Sequence, residues 1–186
     1  DLRVADRRCA ELALAIVVLR RPAVIAVDGV DGAGKTTFAS RLASAVESAG
    51  RPAVVVHEDD FLAPREVRYR LGRESPEGYF RDSYDLAALI EHVLDPLRPG
   101  GDRRVRRRVF DHRTDSPVAA PTEEVPSDAV VIVEGMFLHR DGSHPDPEHP
   151  TMRRYVEGQR IYLATCRPRE RATVVLDNGS PSTALR

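Results

Sequence analysis

Three short, unbroken apolar runs punctuate the chain: Ala23–Val27, Ala53–Val56 and Ala129–Val133, each rich in β-branched residues. Runs of this length without alternation predict strands buried on both faces of a parallel sheet. Between them the period changes. Phe38, Leu42, Ala45 and Val46 recur at helical spacing, and Gly50 followed by Arg51-Pro52 marks the stop of that helix. Leu86, Leu89, Ile90, Val93 and Leu94 repeat the helical pattern behind a candidate N-cap, Asp85, and Pro96 with Pro99-Gly100-Gly101 ends it. Leu12–Leu19 is the most apolar segment. It predicts a helix packed on the sheet and ended by Pro22. Met152–Ala164 reads as a further helix against the cost of Gly158, and Ala172–Asn178 as a last strand. Residues 62–84 lack a clean period and are expected to form a loop or lid. Thr114–Pro117 marks a turn, with loop onward to Pro126. Strands alternating with helices give an α/β fold with a parallel sheet flanked by helices.

The chemistry concentrates where the first strand ends. Gly29-Val30-Asp31-Gly32-Ala33-Gly34-Lys35-Thr36-Thr37 fits G-x-x-x-x-G-K-[ST], and the strand before it and the helix after it supply the context that pattern requires. Its glycines let the backbone turn several N–H groups inward, and a helix N-terminus adds its dipole, so the loop suits nucleotide phosphates. Gly29, Asp31, Gly32, Ala33, Gly34, Lys35, Thr36 and Thr37 are the candidate nucleotide-binding residues. Lys35 is placed at the β- and γ-phosphates and Thr36 on Mg²⁺. Lys35 is the only lysine in the chain; the remaining Lys/Arg positions are all arginine. A compact ammonium has been kept where it matters. The motif makes the expected architecture a three-layer phosphate-loop NTPase fold, as one domain over residues 1–186.

Carboxylates follow the other two runs. Glu58-Asp59-Asp60 sits after the second, where open α/β sheets bind ligands. Asp59 or Asp60 is the candidate base for an acceptor hydroxyl. The third run closes on Glu134-Gly135, which places Glu134 on the metal side with Thr36. Arg103–Asp111 is a dense basic run. It is short, lacks interleaved aromatics and belongs to a chain of net charge −1. An exposed hairpin strand beside an anionic substrate is therefore preferred to nucleic-acid binding. His144, Asp146, Glu148 and His149 have no rigid spacing and read as a solvated loop rather than a metal site. Cys9 and Cys166 make neither a metal spacing nor a disulfide framework, which points to the cytoplasm. The Leu12–Leu19 run is too short to span a bilayer. As a secretory signal it is interrupted by Asp6 and Glu11 and lacks a small-residue cleavage site. A chain that opens on Asp1 is expected to lack its natural N-terminus.

Gly29–Thr37, Val56–Phe61 and Val131–Gly135, in that order, resemble the uridine kinase and phosphoribulokinase-like family of phosphate-loop kinases. Asp82-Ser83-Tyr84-Asp85 is similar to that family's acceptor-side segment, and Val109–His112 falls at its substrate-facing hairpin. The resemblance covers residues 22–139 and 152–178. It implies ATP- and Mg²⁺-dependent phosphorylation of a small-molecule hydroxyl. It assigns the base to Asp59, with Asp60 as alternative, the metal side to Thr36 and Glu134, and phosphate neutralisation to Lys35. Asp82, Asp111 and His112 become candidate substrate residues, and 62–126 the acceptor-side lid and hairpin region. Neither nucleic acid nor membrane is an expected partner, and a homo-oligomer is left open. The chain departs from the family after Phe137-Leu138-His139-Arg140. A His/Pro loop over 139–151 stands where a further strand and an arginine-bearing lid helix are expected. Arg153 and Arg154 are the candidates to replace the lid's arginines. Two other readings stay open: a nucleotide-binding module without catalysis, and a thymidylate kinase-like enzyme, which would need a D-R-[YF] element that Asp59-Asp60-Phe61 does not match.

Overall fold

The computed structural model describes residues 2–19, 21–29, 32–136 and 153–176. Helix α1 (Leu2–Ile16) precedes strand β1 (Ala23–Asp28), helix α2 (Lys35–Ser48) and strand β2 (Ala53–His57). A 3₁₀ turn over Glu58–Phe61 leads to the short helices α3 (Arg65–Arg68), α4 (Pro76–Asp82) and α5 (Leu86–Leu89). Four two-residue strands follow: β3 (Arg104–Val105), β4 (Phe110–Asp111), β5 (Ser116–Pro117) and β6 (Glu123–Glu124). Strand β7 (Val130–Gly135) and the helices α6 (Arg153–Cys166) and α7 (Pro168–Arg171) complete the described chain.

The main sheet is parallel, in the order β1-β7-β2. Val131 and Val133 of β7 face one core with Val56, Phe61, Leu89, Val93 and Val105. Val130 and Ile132 face the other, with Cys9, Ala13 and Ile16 of α1 and Ala39, Leu42 and Val46 of α2. Burying each such valine, leucine or isoleucine side chain contributes about 1.5–3 kcal/mol, so β7 ties the three layers together. Only β7 matches the expectation of a strand buried throughout. Among the described strands β1 and β2 lie at the sheet edges, and Val24 is 39% exposed.

Arg51, read from sequence as part of a turn, is a buried staple. Its guanidinium donates to the carbonyls of Ile16 and Val17 at the end of α1, both at 3.2 Å, and to Asp128 and Ala129 before β7 at 2.6 and 3.1 Å. Helix-end carbonyls that lack intrahelical partners are thereby satisfied.

The helix expected over 86–94 begins as predicted, with the Asp85 carboxylate accepting from the Ala88 N–H at 2.9 Å. It then loosens into a π turn (Ile90–Leu94) and a 3₁₀ turn (Asp95–Leu97). Pro96 has no N–H to give back to the carbonyl of His92, and that carbonyl instead accepts from Arg106 N at 3.0 Å. Residues 62–84, expected as loop, contain α3 and α4, and β6 interrupts the loop expected before Pro126. The strand expected over 172–178 does not form in its described part, and Val174 and Val175 stay exposed. An apolar run becomes a strand only where a neighbour's backbone is available for pairing. Gly158, a mark against α6, is what its packing requires: a Cβ there would lie 2.8 Å from the Tyr79 ring and 2.9 Å from the Pro76 carbonyl.

Candidate active site

The parallel register brings the strand tips to one rim. Asp28 pairs with Gly135 across β1 and β7, and His57 with Glu134 across β2 and β7. The glycine loop leaves the tip of β1 for α2. Gly32 and Gly34 adopt φ of +75° and +78°, a left-handed backbone that a Cβ disfavours. Gly34 caps α2, so Lys35 and Thr36 open the helix at its positive dipole end. Val30 and Asp31 lie outside the described residues. Thr37 is exposed in the first helical turn.

Glu134 joins α2 and β2 at this rim. Its Oε1 accepts from Thr36 Oγ1 at 3.1 Å and lies 2.6 Å from His57 Nδ1. Mg²⁺ takes hard oxygen donors, one or two from protein and the rest from phosphates and water. A hydroxyl and a carboxylate already touching at the mouth of a phosphate loop fit that need. Among the described residues no group of three or more His, Cys, Asp or Glu is arranged to hold a metal, so these two would hold it together with the nucleotide. His57 was not among the sequence candidates. Its signal was present: β2 and β7 reach their first polar residue at the same register, so aligning the tips pairs His57 with Glu134.

The three acids after β2 separate into different environments. Glu58 is buried beneath Gly135, and its Oε2 accepts from Met136 N at 2.8 Å. Any Cβ at residue 135 would fall 2.6 Å from Glu58 Cβ, which explains the glycine of the acid-glycine pair. Burial raises the Glu58 carboxyl to about 8; Asp59 and Asp28 add to the rise, while the Met136 N–H and Lys35 oppose it. Glu58 therefore feels Lys35, Asp59 and Asp28 in one neighbourhood. Asp59 is exposed to a cavity and accepts from the Tyr84 hydroxyl at 3.1 Å. Burial, then the Asp59 charge, raises the Tyr84 phenol, which stays a neutral donor. Asp60 turns away to Arg108 at 3.2 Å. Burial raises its carboxyl, against the pull of Arg108.

Folded Glu58 keeps its proton up to about pH 8, whereas the unfolded side chain loses it near 4.5. The native state binds the extra proton between these values. This contribution is complete below pH 4.5 and is lost as pH rises through 8. Glu58→Gln should therefore flatten the fall in stability between pH 5 and 8.5, removing a slope of at most roughly 1.4 kcal/mol for each step of one in pH. Urea unfolding at those two pH values reads it; an unchanged difference would show that Glu58 ionises normally in the fold.

The cavity that Asp59 enters has a volume of about 250 Å³, and Arg68, Tyr69, Tyr84, His112 and Arg154 also line it. Of the substrate candidates, only His112 reaches it. Asp82 is held by Arg70 at 3.1 Å, and Asp111 by Arg108 at 3.3 Å. The Arg113 N–H, first among the causes, holds the Asp111 carboxyl below its usual range. The basic run is matched by acids: Arg103 with Glu124 at 3.1 Å, Arg107 with Glu123 at 2.7 Å. These pairs suit a solvated hairpin. Sequence reasoning named Tyr84 only within the acceptor-side segment and gave no role to Arg68, Tyr69 or Tyr155, which lie at the end of α3, just after it and in α6, with no periodic signal. A groove of about 350 Å³ between α1 and α2 holds none of the candidate residues.

Residues 24–143, well over half of the chain, match the sequence profile of the phosphoribulokinase/uridine kinase family. The chain belongs to that family. Its α/β architecture is similar to that of a solved structure described as a possible uridine kinase from Bacillus stearothermophilus, with a TM-score of 0.77 and 27% identity over 95% of this chain and 99% of that one. A pantothenate kinase from Rhodopseudomonas palustris (strain BisA53) is 35% identical over 78% of this chain and 44% of its own length. A uridine kinase from Leuconostoc citreum is 25% identical over 65% of this chain and 56% of its own. The chain thus spans less than half the length of that pantothenate kinase. The 139–151 loop, which stands where the family's next strand and lid were expected, lies outside the described residues with its 144–149 His/Asp/Glu group, as does the side chain of Arg153. No described helix is long and apolar enough to cross a membrane.

Proposed function

We propose that this member of the family is a small-molecule kinase that transfers the γ-phosphoryl group of ATP to an alcohol. The observation that carries the reading is the placement of Asp59: it lines a cavity together with Met136, two residues beyond the Glu134 that Thr36 meets, and it shares with Lys35 the electrostatic neighbourhood of Glu58. The acceptor oxygen attacks the γ-phosphorus as the bond to the β–γ bridging oxygen breaks. The hydroxyl proton passes to the Asp59 carboxylate, and ADP leaves. Tyr84 aims Asp59, and Lys35 with the loop amides orients the phosphates and offsets charge on the transferring group. Thr36 and Glu134 would hold Mg²⁺, which would supply charge neutralisation at the phosphate oxygens. Asp60, tied to Arg108, is the weaker candidate for the base.

The names of the relatives suggest two acceptor types, a nucleoside and pantothenate. The cytoplasm, which supplies ATP and Mg²⁺, is the compartment this activity needs. The test is ADP release with ATP and Mg²⁺ across a panel that includes uridine and pantothenate. Acceptor-dependent turnover supports the kinase. Nucleotide binding with no turnover on any alcohol would make the chain a binding module instead.

A further inference from the structure

Two donors from different elements meet one oxygen of Glu134. Thr36 Oγ1 donates to Oε1 from α2 at 3.1 Å, and His57 Nδ1 reaches the same oxygen from β2 at 2.6 Å. A carboxylate only accepts, so the proton in the His57 contact sits on Nδ1. Register makes the contact, because His57 and Glu134 are paired residues at the tips of adjacent parallel strands. Val56 and Val133, one residue back on each strand, face the core away from α2. Side chains alternate along a strand, so both polar groups point to the α2 side, where Thr36 opens its helix. With both donors on Oε1, the second oxygen, Oε2, takes no hydrogen bond among the described residues. The Glu134 side chain is only 8% exposed, whereas that of His57 is 41% exposed. The imidazole therefore contributes little to either core, and its one short contact is to a candidate metal donor. Mg²⁺ demands near-octahedral geometry and short, fixed distances, whereas Ca²⁺ takes about six to eight oxygens at longer distances, often both oxygens of one carboxylate. Hydrogen-bond partners of a ligating carboxylate set its orientation.

We propose that His57 is a positioning residue for the metal: by donating Nδ1–H to Oε1 it makes Glu134 a one-oxygen donor, and so favours Mg²⁺ over Ca²⁺. This rests on the placement of Mg²⁺ at Thr36 and Glu134 in the kinase reading above, and it gives that site its selectivity.

Metal binding tests it without turnover. Mn²⁺, which shares the oxygen-donor octahedral chemistry of Mg²⁺, is titrated into the full chain with a non-hydrolysable ATP analogue. Electron paramagnetic resonance reads the free ion, corrected for metal held by the analogue alone, and Mg²⁺ and Ca²⁺ are then added as competitors. His57→Ala should weaken Mn²⁺ and Mg²⁺ roughly ten- to a hundredfold, the range for losing such a hydrogen-bond partner. Ca²⁺ should lose less, so the preference for Mg²⁺ falls. His57→Asn should keep most of that preference, because the asparagine amide N–H stands where Nδ1–H stands. His57→Gln, whose amide nitrogen stands nearer the Nε2 position, should behave like His57→Ala. A merely structural side chain would not give this order. Thermal unfolding, and binding of the analogue without metal, should be the same in all four proteins. If His57→Ala does not fold, the contrast between His57→Asn and His57→Gln decides. Metal affinities in His57→Ala within twofold of the parent, equal losses in the Asn and Gln variants, or equal losses of Mg²⁺ and Ca²⁺ overturn the proposal. So does a parent chain that adds nothing to the Mn²⁺ held by the analogue. ADP release with the panel of alcohols separates the two readings. His57-dependent metal selectivity without turnover on any acceptor keeps the proposal and sinks the kinase. Turnover with metal affinities indifferent to His57 keeps the kinase and sinks the proposal.

Discussion

Lys35→Ala is expected to reduce acceptor-dependent ADP release by roughly a hundred- to a thousandfold, the loss typical of removing one preorganised charged donor from a transition state. Phosphoryl transfer offers the protein little covalent work, so positioning and charge stabilisation make up nearly all of its contribution. The ammonium at the first residue of α2 adds a full charge where the loop amides offer only partial ones. Folding should be little affected. The Lys35 stem lies near Gly29, where a Cβ would stand 3.3 Å from Lys35 Cγ, and that is an edge of the loop rather than of either core. Lys35→Arg should not rescue, because a planar fork cannot take the place of a compact ammonium beside a glycine. Single-turnover measurement with saturating nucleotide separates the chemical step from weakened ATP binding. Activity within a few-fold of the parent would remove the phosphate loop from the mechanism.

Asp59→Asn should lower kcat by roughly a hundred- to ten-thousandfold, the range for loss of a general base, while changing acceptor binding far less. Asparagine still offers an oxygen to the Tyr84 hydroxyl, so the local geometry survives, but it cannot take the proton. Asp60→Asn is the control. It breaks a half-exposed pair with Arg108, an interaction of the kind worth about 1 kcal/mol or less, and should leave kcat within about tenfold of the parent. If Asp60→Asn is the more damaging change, the two neighbouring acids exchange roles.

The phosphate loop, the three strands and the helices at their flanks were legible because each depends on local rules. A G-x-x-x-x-G-K-T pattern after an apolar run requires a strand, a turn and a helix in that order. Cys9, Ala13 and Ile16, or Ala39, Leu42 and Val46, make a stripe wherever the helix happens to pack. In its described part, the strand expected over 172–178 failed for the complementary reason. Val174 and Val175 have the right chemistry, but pairing belongs to two segments, and only one of them can be read locally.

The site divides along the same line. That Asp59 and Glu134 come to the ends of strands follows from their positions after apolar runs, because such runs end where polar side chains meet solvent, and Lys35 and Thr36 open the helix that the glycine loop leads into. Which neighbour each meets is a matter of register and layer stacking. One-residue register sets His57 against Glu134. Gly135 gives Glu58 a buried seat while Asp59, one residue on, faces the cavity. Arg68 and Arg154, far apart along the chain, share a cavity because α6 packs on α4 through Gly158. Periodicity and motif spacing report how a residue relates to the few residues beside it. Charge compensation, proton affinity and cavity lining depend on groups brought close by the packing of whole elements, and these appear only once the chain has folded.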